Sequence, residues 1–417
     1  MAHQYLFKLI PLALAAALVA CGGGGDDGGS APAPQPPIIQ APFKMEVLGG
    51  RTEVDFTQCQ WLDTPTLLKQ AQFNHLQRVG VYADAMYLID SGENCWGSPP
   101  VIGSQSLRHP KGVSPSVYRI NDEYVSFHMP LWSVEEGVFP LARPISPVFI
   151  NSLYHKANEE PFVILSYGAA PSETGFALND TLLTHFASQN LWKKFSFALG
   201  VFKFYGSSSA EHGLVAGTPG QPPGYADGKG REARFTAPHD LEGDADGLLY
   251  LIDAGRIRTV DQKDWQVRTL DNVALGATGV FKTLDSDRLG RVHAIEQINS
   301  GRYVWHRLSD KRRVAFTLPN PPAGKTVETF AVIGDELLMA VRGMTAEAGK
   351  NASTVYRVNA SGQTLRVSGQ AQPAQADDWL NDPQKFAWPQ VQHLEYGSDG
   401  HLYVALPQGV LRARDFK

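Results

Sequence analysis

The chain has 417 residues, of which 43% are hydrophobic and 19% charged, and a net charge of -5. That length and apolar content can bury a large core. The charge is spread along the chain without a basic stripe or an acidic tail, which excludes the electrostatic footprint of a nucleic-acid-binding protein and leaves other partners unnamed.

The N-terminus reads as an address. Lys8 precedes an apolar run from Leu9 to Ala20 that is too short to span a membrane as a mature helix, so residues 1–20 are a predicted signal peptide. Leu18-Val19-Ala20-Cys21 resembles a bacterial lipobox, in which the cysteine is lipidated and becomes the first mature residue. The alternative is an ordinary signal peptide with a chance cysteine. Gly22, rather than Asp, after the cysteine resembles the pattern of lipoproteins sent to the outer membrane. Residues 21–42 are Gly-rich from Gly22 to Ser30 and Ala-Pro-rich through Pro37, a composition that buries no apolar surface. They are expected to tether the folded part to the bilayer through acylated Cys21. Cys59 and Cys95 then remain, and the export signal implies an oxidising compartment. A disulfide between them is expected, worth roughly 3–4 kcal/mol in the chain-entropy model; two separate buried thiols are the alternative.

From residue 43 onward the pattern is short apolar runs alternating with turns. Ala85 to Asp90 and Ser116 to Asn121 read as strands, separated by an inserted loop from Ser91 to Ser114 that carries Cys95. Residues 122–205 are less regular, although Phe162 to Tyr167 and Phe195 to Tyr205 read as strands and Asp180 to Lys194 as a short helix. Gly217 to Leu270 is a complete four-stranded unit. It contains the loop Asp227-Gly228-Lys229-Gly230, then Ala233-Arg234-Phe235, Pro238-His239-Asp240-Leu241, Asp244-Ala245-Asp246-Gly247, Leu248-Leu249-Tyr250-Leu251-Ile252-Asp253 and Arg256-Ile257-Arg258. Asp246-Gly247 offers a two-residue hairpin turn.

This stretch resembles an NHL repeat, with His239-Asp240 standing where the family often has x-Gly. Gly397 to Val404 repeats its Asp-Gly-x-Leu-Tyr core. Asp285 to Ile295 and Gly334 to Ala340 repeat it more weakly, and Thr354 to Asn359 echoes Ser116 to Asn121. The resemblance implies an all-β fold over residues 43–417, a β-propeller of NHL-like four-stranded blades. Six blades are expected, counting 122–205 as degenerate or inserted, with seven as the alternative. Phe43 to Val47 is expected to close the ring by completing the last blade.

Chemistry in propellers is expected at the central channel, on residues entering each innermost strand. Aligned on Tyr250, these are His239 and Asp240, then Lys282 and Thr283, Glu328 and Thr329, and Gln392 and His393, with His75 within one position of the set. Three imidazoles, His75, His239 and His393, would suit zinc with an open position. Pro238-His239-Asp240-Leu241 is similar to a motif in the lyase domain of peptide-amidating enzymes, whereas Lys282 and Glu328 break that set; a lactonase-type cation site cannot be assembled. Asp244 and Asp246 read as turn chemistry rather than a calcium loop. No nucleophile elbow, His-Glu-x-x-His helix or phosphate-cradling loop is present. Cofactor and metal stay open. The reading is a lipid-anchored envelope propeller that binds an unidentified envelope protein or small molecule; a metal-dependent lyase or lactonase is the alternative.

Overall fold

A computed structural model describes residues 41–416 apart from 54–61, 63–64, 83–84, 91–100, 104–105, 109–115, 122, 131–146, 155–161, 168–195, 205–209, 218–223, 320–326, 346–348, 370–377 and 415. The signal peptide, Cys21, the tether through residue 40, Cys59, Cys95 and the helix expected over 180–194 lie outside the described residues.

Strand β1 (Lys44–Gly50) precedes a first sheet built from β2 (Thr66–Leu67), β3 (Leu76–Val81) and β4 (Met86–Asp90). A small hairpin, β5 (Val101–Gly103) and β6 (Ser106–Arg108), interrupts it within the expected inserted loop, and β7 (Ser116–Asn121) and β8 (Tyr124–Pro130) complete it. The second sheet comprises β9 (Pro147–Tyr154), β10 (Phe162–Tyr167), β11 (Ser196–Phe204) and β12 (Ala210–Gly217). The segment expected to be degenerate thus supplies strands of a four-stranded sheet. The third sheet holds β13 (Gly228–Lys229), β14 (Pro238–Gly243), β15 (Leu248–Asp253), β16 (Arg256–Asp261) and β17 (Gln266–Thr269). The fourth runs β18 (Val280–Ser286), β19 (Val292–Asn299), β20 (Arg302–Arg307) and β21 (Arg312–Thr317). The fifth has β22 (Val327–Ile333), β23 (Glu336–Thr345), β24 (Gly349–Val358) and β25 (Thr364–Arg366). The last has β26 (His393–Tyr396), β27 (Leu402–Leu406) and β28 (Gly409–Arg414). Among the described residues these make six antiparallel sheets of four or five strands, besides the β5–β6 hairpin.

The sheets close into a propeller. The first main strands, β3, β9, β14, β18, β22 and β26, touch one another in that order, and β26 returns to β3. The N-terminal strand β1 pairs antiparallel with β28 from Lys44↔Arg414 to Gly50↔Gly409, so the last sheet takes its outer strand from the start of the fold. Phe43 and Met45 join the apolar cluster of Leu402, Val404 and Leu411, and the rings of Phe43 and Phe416 meet edge-on at 4.7 Å. Joining the two ends of the sequence removes a free sheet edge.

The third sheet shows why the repeat residues recur. Asp253, at the end of β15, is fully buried and accepts hydrogen bonds from the Thr236 and Ala237 amides at 2.9 and 2.8 Å, just before β14 begins. Arg258 on β16 pairs with the same carboxylate at 2.9 Å and donates to the Arg234 and Ala226 carbonyls at 2.6 and 2.5 Å and to Asp227 at 3.0 Å. Tyr225 and Phe235 flank its guanidinium at 4.7 and 4.8 Å. Asp227 also accepts from the Thr269 amide and hydroxyl, which binds the outer strand into the same network. The Asp-Gly-x-Gly loop, Ala-Arg-Phe, the strand-end Asp and Arg-Ile-Arg are therefore parts of one ionic cluster around the buried Arg258–Asp253 pair.

Other sheets repeat its core. Asp90 accepts from the Asn74 and His75 amides, and Glu296 from the Thr278 and Gly279 amides while meeting His306 at 2.7 Å. At the hairpins, Asp244 accepts from the Asp246 and Leu248 amides and the Tyr250 hydroxyl. Its carboxylate is committed to turn geometry. Asp287 does the same for Leu289 and Arg291, and there His293 replaces the tyrosine, held between Asp287 and the Trp305 indole. Burial alone would raise the Asp287 carboxyl, yet hydrogen bonds from His293 and Arg291 hold it well below the usual range.

Removing one member of a buried pair leaves an uncompensated charge, so Arg258→Met is expected to cost about 3–5 kcal/mol. Adding Asp253→Asn to it should cost less than the sum of the two single changes. Urea denaturation of the four proteins measures this coupling; additive losses would mean that the pair does not organise the entry loop.

Candidate functional site

Each innermost strand described with side chains carries a bulge at its entry. Register shifts fall between Leu76 and Arg78, His239 and Leu241, Phe281 and Thr283, and Val327 and Thr329. On the last sheet the Gln392 amide and His393 both address Ala405. Counting from the ladder partners, the bulge pairs Gln77-Arg78, His239-Asp240, Lys282-Thr283, Glu328-Thr329 and Gln392-His393 are equivalent. An extra residue in a strand re-aims side chains, and here it turns polar groups toward the axis. Asp240 adopts a left-handed conformation at φ 47°, which Asp tolerates better than most residues.

In three of the pairs the second residue reaches the next sheet. Asp240 accepts from the Leu284 amide at 3.1 Å, and the Thr329 hydroxyl accepts from the Leu394 amide at 3.2 Å. His393 bonds to the Val79 backbone. The next residues, Val79, Leu241, Leu284, Phe330 and Leu394, turn into the apolar cores, as the two-residue period of a strand requires.

One step further in, polar side chains face the axis again. Glu242 lies opposite Tyr250, Asp285 opposite His293 and Glu395 opposite Tyr403. The equivalent positions on β3 and β22 are Gly80 and Ala331, opposite Tyr87 and Leu338. Three carboxylates thus share one tier. Glu242 accepts from the Ser286 hydroxyl at 2.7 Å, Asp285 from the Val332 amide at 2.9 Å, and Glu395 from the Val81 backbone. Each again reaches the following sheet.

Arg78 crosses the channel above them. From the first sheet it forms ion pairs with Glu242 and, at 3.4 Å, with Asp240, both on the third. Burial opposes its charge, but these two carboxylates raise its pKa further still. The guanidinium bolts together sheets that are not neighbours in the ring. Burial raises Glu242 to about 7 against the pull of Arg78 and Ser286, and raises Glu395 to about 8 with help from the Glu242 charge. Asp285 is pushed well above the ordinary range by burial and by its neighbours Glu395 and Glu242. Burial and the Arg78 charge hold His393 well below its usual pKa, so its ring is neutral.

Of the residues singled out in the sequence, the structure brings Asp240 and His393 to the channel beside Arg78. Lys282 and His239 are the partly exposed members of their bulge pairs, and the His239 ring stays with its own entry loop, 3.2 Å from the Ala237 carbonyl. His75 lies two residues before its bulge pair, outside the alignment expected for it. Its ring lies 3.4 Å from the Gln392 amide nitrogen, and Gln392 meets Arg342, which pairs with Glu328 at 3.1 Å. Among the described residues no group of three or more His, Cys, Asp or Glu is placed to hold a metal ion. The expected His75, His239 and His393 triad is therefore corrected: the three enter their strands at successive depths, each residue advancing about 3.3 Å.

Sequence reasoning missed Arg78, Glu242, Asp285 and Glu395. The signal was present as His239-Asp240-Leu241-Glu242, Lys282-Thr283-Leu284-Asp285 and Gln392-His393-Leu394-Glu395, an acid two residues beyond each bulge pair.

No protein-family model matches the chain, and no curated protein does. Among solved structures, one of a protein of unknown function from Bacteroides thetaiotaomicron superposes with a TM-score of 0.49 at 10% identity, covering 90% of this chain and 76% of that one. An extracellular domain assigned to a hybrid two-component system of the same organism gives 0.41 at 8% identity; the chain is covered to 90% and spans 42% of that domain's length. Streptogramin B lyase gives 0.38 at 9% identity, with 84% and 96% coverage. At these values the fold assignment rests on the sheet topology described above.

The carboxylate tier makes stability depend on pH. A carboxyl whose folded pKa exceeds its unfolded value binds more protons in the native state, so stability falls as pH rises toward the folded pKa. The buried histidines His293, His306 and His393 have lowered pKa values and act in the opposite sense, but only below about pH 6.5, where the unfolded imidazole still charges. Between about pH 7 and 8.5 the carboxylates dominate, and unfolding free energy is expected to drop by about 1–3 kcal/mol. Glu395→Gln should flatten that slope in urea titrations; an unchanged slope would remove the tier as its source.

Proposed function

We propose that this chain is a lipid-anchored protein of the bacterial cell envelope whose NHL-like propeller binds a ligand or partner protein at the mouth of its channel. The observation that carries this reading is the recurrence of the entry bulge. Five sheets place a partly exposed polar residue, Gln77, His239, Lys282, Glu328 or Gln392, at equivalent positions around one end of the axis. His75 and Arg342 join Gln392 and Glu328 there through the contacts described above. A rigid ring that presents both donors and acceptors suits recognition of a polar ligand. The metal-dependent lyase or lactonase alternative loses its three-histidine ligand set, and nothing in the described geometry favours it.

The anchor rests on the sequence Leu18-Val19-Ala20-Cys21 and the Gly- and Pro-rich stretch after it, which supports an outer-membrane location with the propeller held away from the bilayer. No helix among the described residues is long and apolar enough to cross a membrane. One acyl chain gives marginal membrane binding, so stable anchoring implies more than one chain on Cys21.

Two experiments test the two halves of the proposal. Metabolic labelling with a fatty-acid probe should mark the wild type and spare Cys21→Ser, which should leave the membrane fraction; equal labelling would remove the anchor. A photoreactive residue at Lys282 should cross-link an envelope component in intact cells, whereas one at exposed Leu289, in the hairpin between β18 and β19, should not. Cross-linking at Leu289 alone would place recognition at the other end of the propeller.

A further inference from the structure

We infer that the tier of Glu242, Asp285 and Glu395 beneath Arg78 is a binding site for a small organic ammonium ion, held by carboxylates from three sheets and by the free nitrogen of His393. The inference deepens the channel-mouth reading above and rests on it.

Charge is the first observation. Asp240, Glu242, Asp285 and Glu395 face the channel against one guanidinium among the described residues, that of Arg78. The sequence of the remaining inner strand, β9, reads Pro-Val-Phe-Ile-Asn-Ser-Leu-Tyr and contains no charged residue. Lys282 on β18 is the nearest cation in the sequence of the inner strands, but it occupies the partly exposed mouth. Three buried or half-buried carboxylates in one tier are under-compensated, and such a group must take up a proton or a cation.

The second observation is independent of charge. His393 is only 7% exposed, and its Nδ1 has no hydrogen-bond partner. Its bond to the Val79 backbone favours the protonated ring, so Nε2 donates there and Nδ1 of the neutral ring is left as an acceptor. His393 and Glu395 lie two residues apart on β26, on the same face, and the Arg78 charge acts on both. An orphaned buried acceptor costs free energy until a donor reaches it. A ligand carrying several N–H groups on a positive centre satisfies both requirements together, whereas the described carboxylates and imidazoles are not spaced for a bare metal ion. Lys282, Gln392 and Asp240 at the mouth, and Glu395 in the tier, are each partly exposed.

The test is titration calorimetry of the full-length protein in detergent with 1,4-diaminobutane at about pH 7. Saturable binding is expected, with n-butanol giving no heat and magnesium chloride failing to compete. Glu395→Gln and Asp285→Asn, which preserve shape, should each weaken binding about tenfold or more, the loss of one charge-assisted hydrogen bond. His393→Phe should weaken it as well. Lowering the pH to about 5.5, where protons compete with the ligand for the tier carboxylates, should weaken the wild type more than Glu395→Gln. Because Glu395→Gln relieves carboxylate repulsion, its melting temperature should equal or exceed that of the wild type, which separates lost binding from lost folding. No saturable heat, equal affinity for n-butanol, or wild-type affinity in both carboxamide variants would overturn the inference. Those outcomes leave the Cys21 and Lys282 experiments free to succeed or fail on their own.

Discussion

The structure depends on how each innermost strand begins. A buried acid at the end of the neighbouring strand grips two consecutive amides of the entry loop: Asp90 for Asn74 and His75, Asp253 for Thr236 and Ala237, Glu296 for Thr278 and Gly279. Those amides face no ladder partner, and leaving them buried without one would be costly. Satisfying them fixes the depth at which the strand enters the sheet. In the first, third and fourth sheets the bulge accompanies this grip, and with it goes the face that each later side chain presents.

The channel is a consequence of that register. Once two residues are set at the bulge, strand alternation sends the next side chain into the core and the one after it to the axis. Leu241, Leu284 and Leu394 fill the apolar clusters, and Glu242, Asp285 and Glu395 meet in the channel. Carboxylate side chains of one sheet also cap amides of the next, as Asp240 does for Leu284 and Asp285 for Val332. The same acids that join the sheets around the ring therefore concentrate negative charge on the axis. Arg78 offsets part of it and ties the first sheet to the third. A channel assembled this way has its polar chemistry imposed by the closure of the ring, whatever ligand it takes.

Most of the propeller was legible from local pattern. The unit from Gly217 to Leu270 carried turn, strand and loop signals in the order of the observed sheet, and the closing role of the segment after Phe43 followed from a last sheet short of one strand. The segment 122–205 was harder, because β9 to β12 lack both the Asp-Gly hairpin seen in the third and last sheets and the Arg-Ile-Arg strand of the third, so ladder pairing alone defines them. The site was legible in part. Asp240 and His393 were found from their place at the strand entries, while His75 was drawn in by residue type although its strand enters two residues later.

The sequence by itself determined the all-β class, the hairpins at Asp244 and Asp399 and the strand-entry positions, because these depend on neighbours a few residues apart. Tertiary structure decided the partners. Arg78 meets Glu242 across 164 residues, and Glu242 raises the pKa of Glu395, and both raise that of Asp285, only because three separate sheets bring them to one axis. Local pattern sets which face of a strand a side chain takes; only closure of the ring decides which other faces it will meet, and so how much of its charge is left unbalanced.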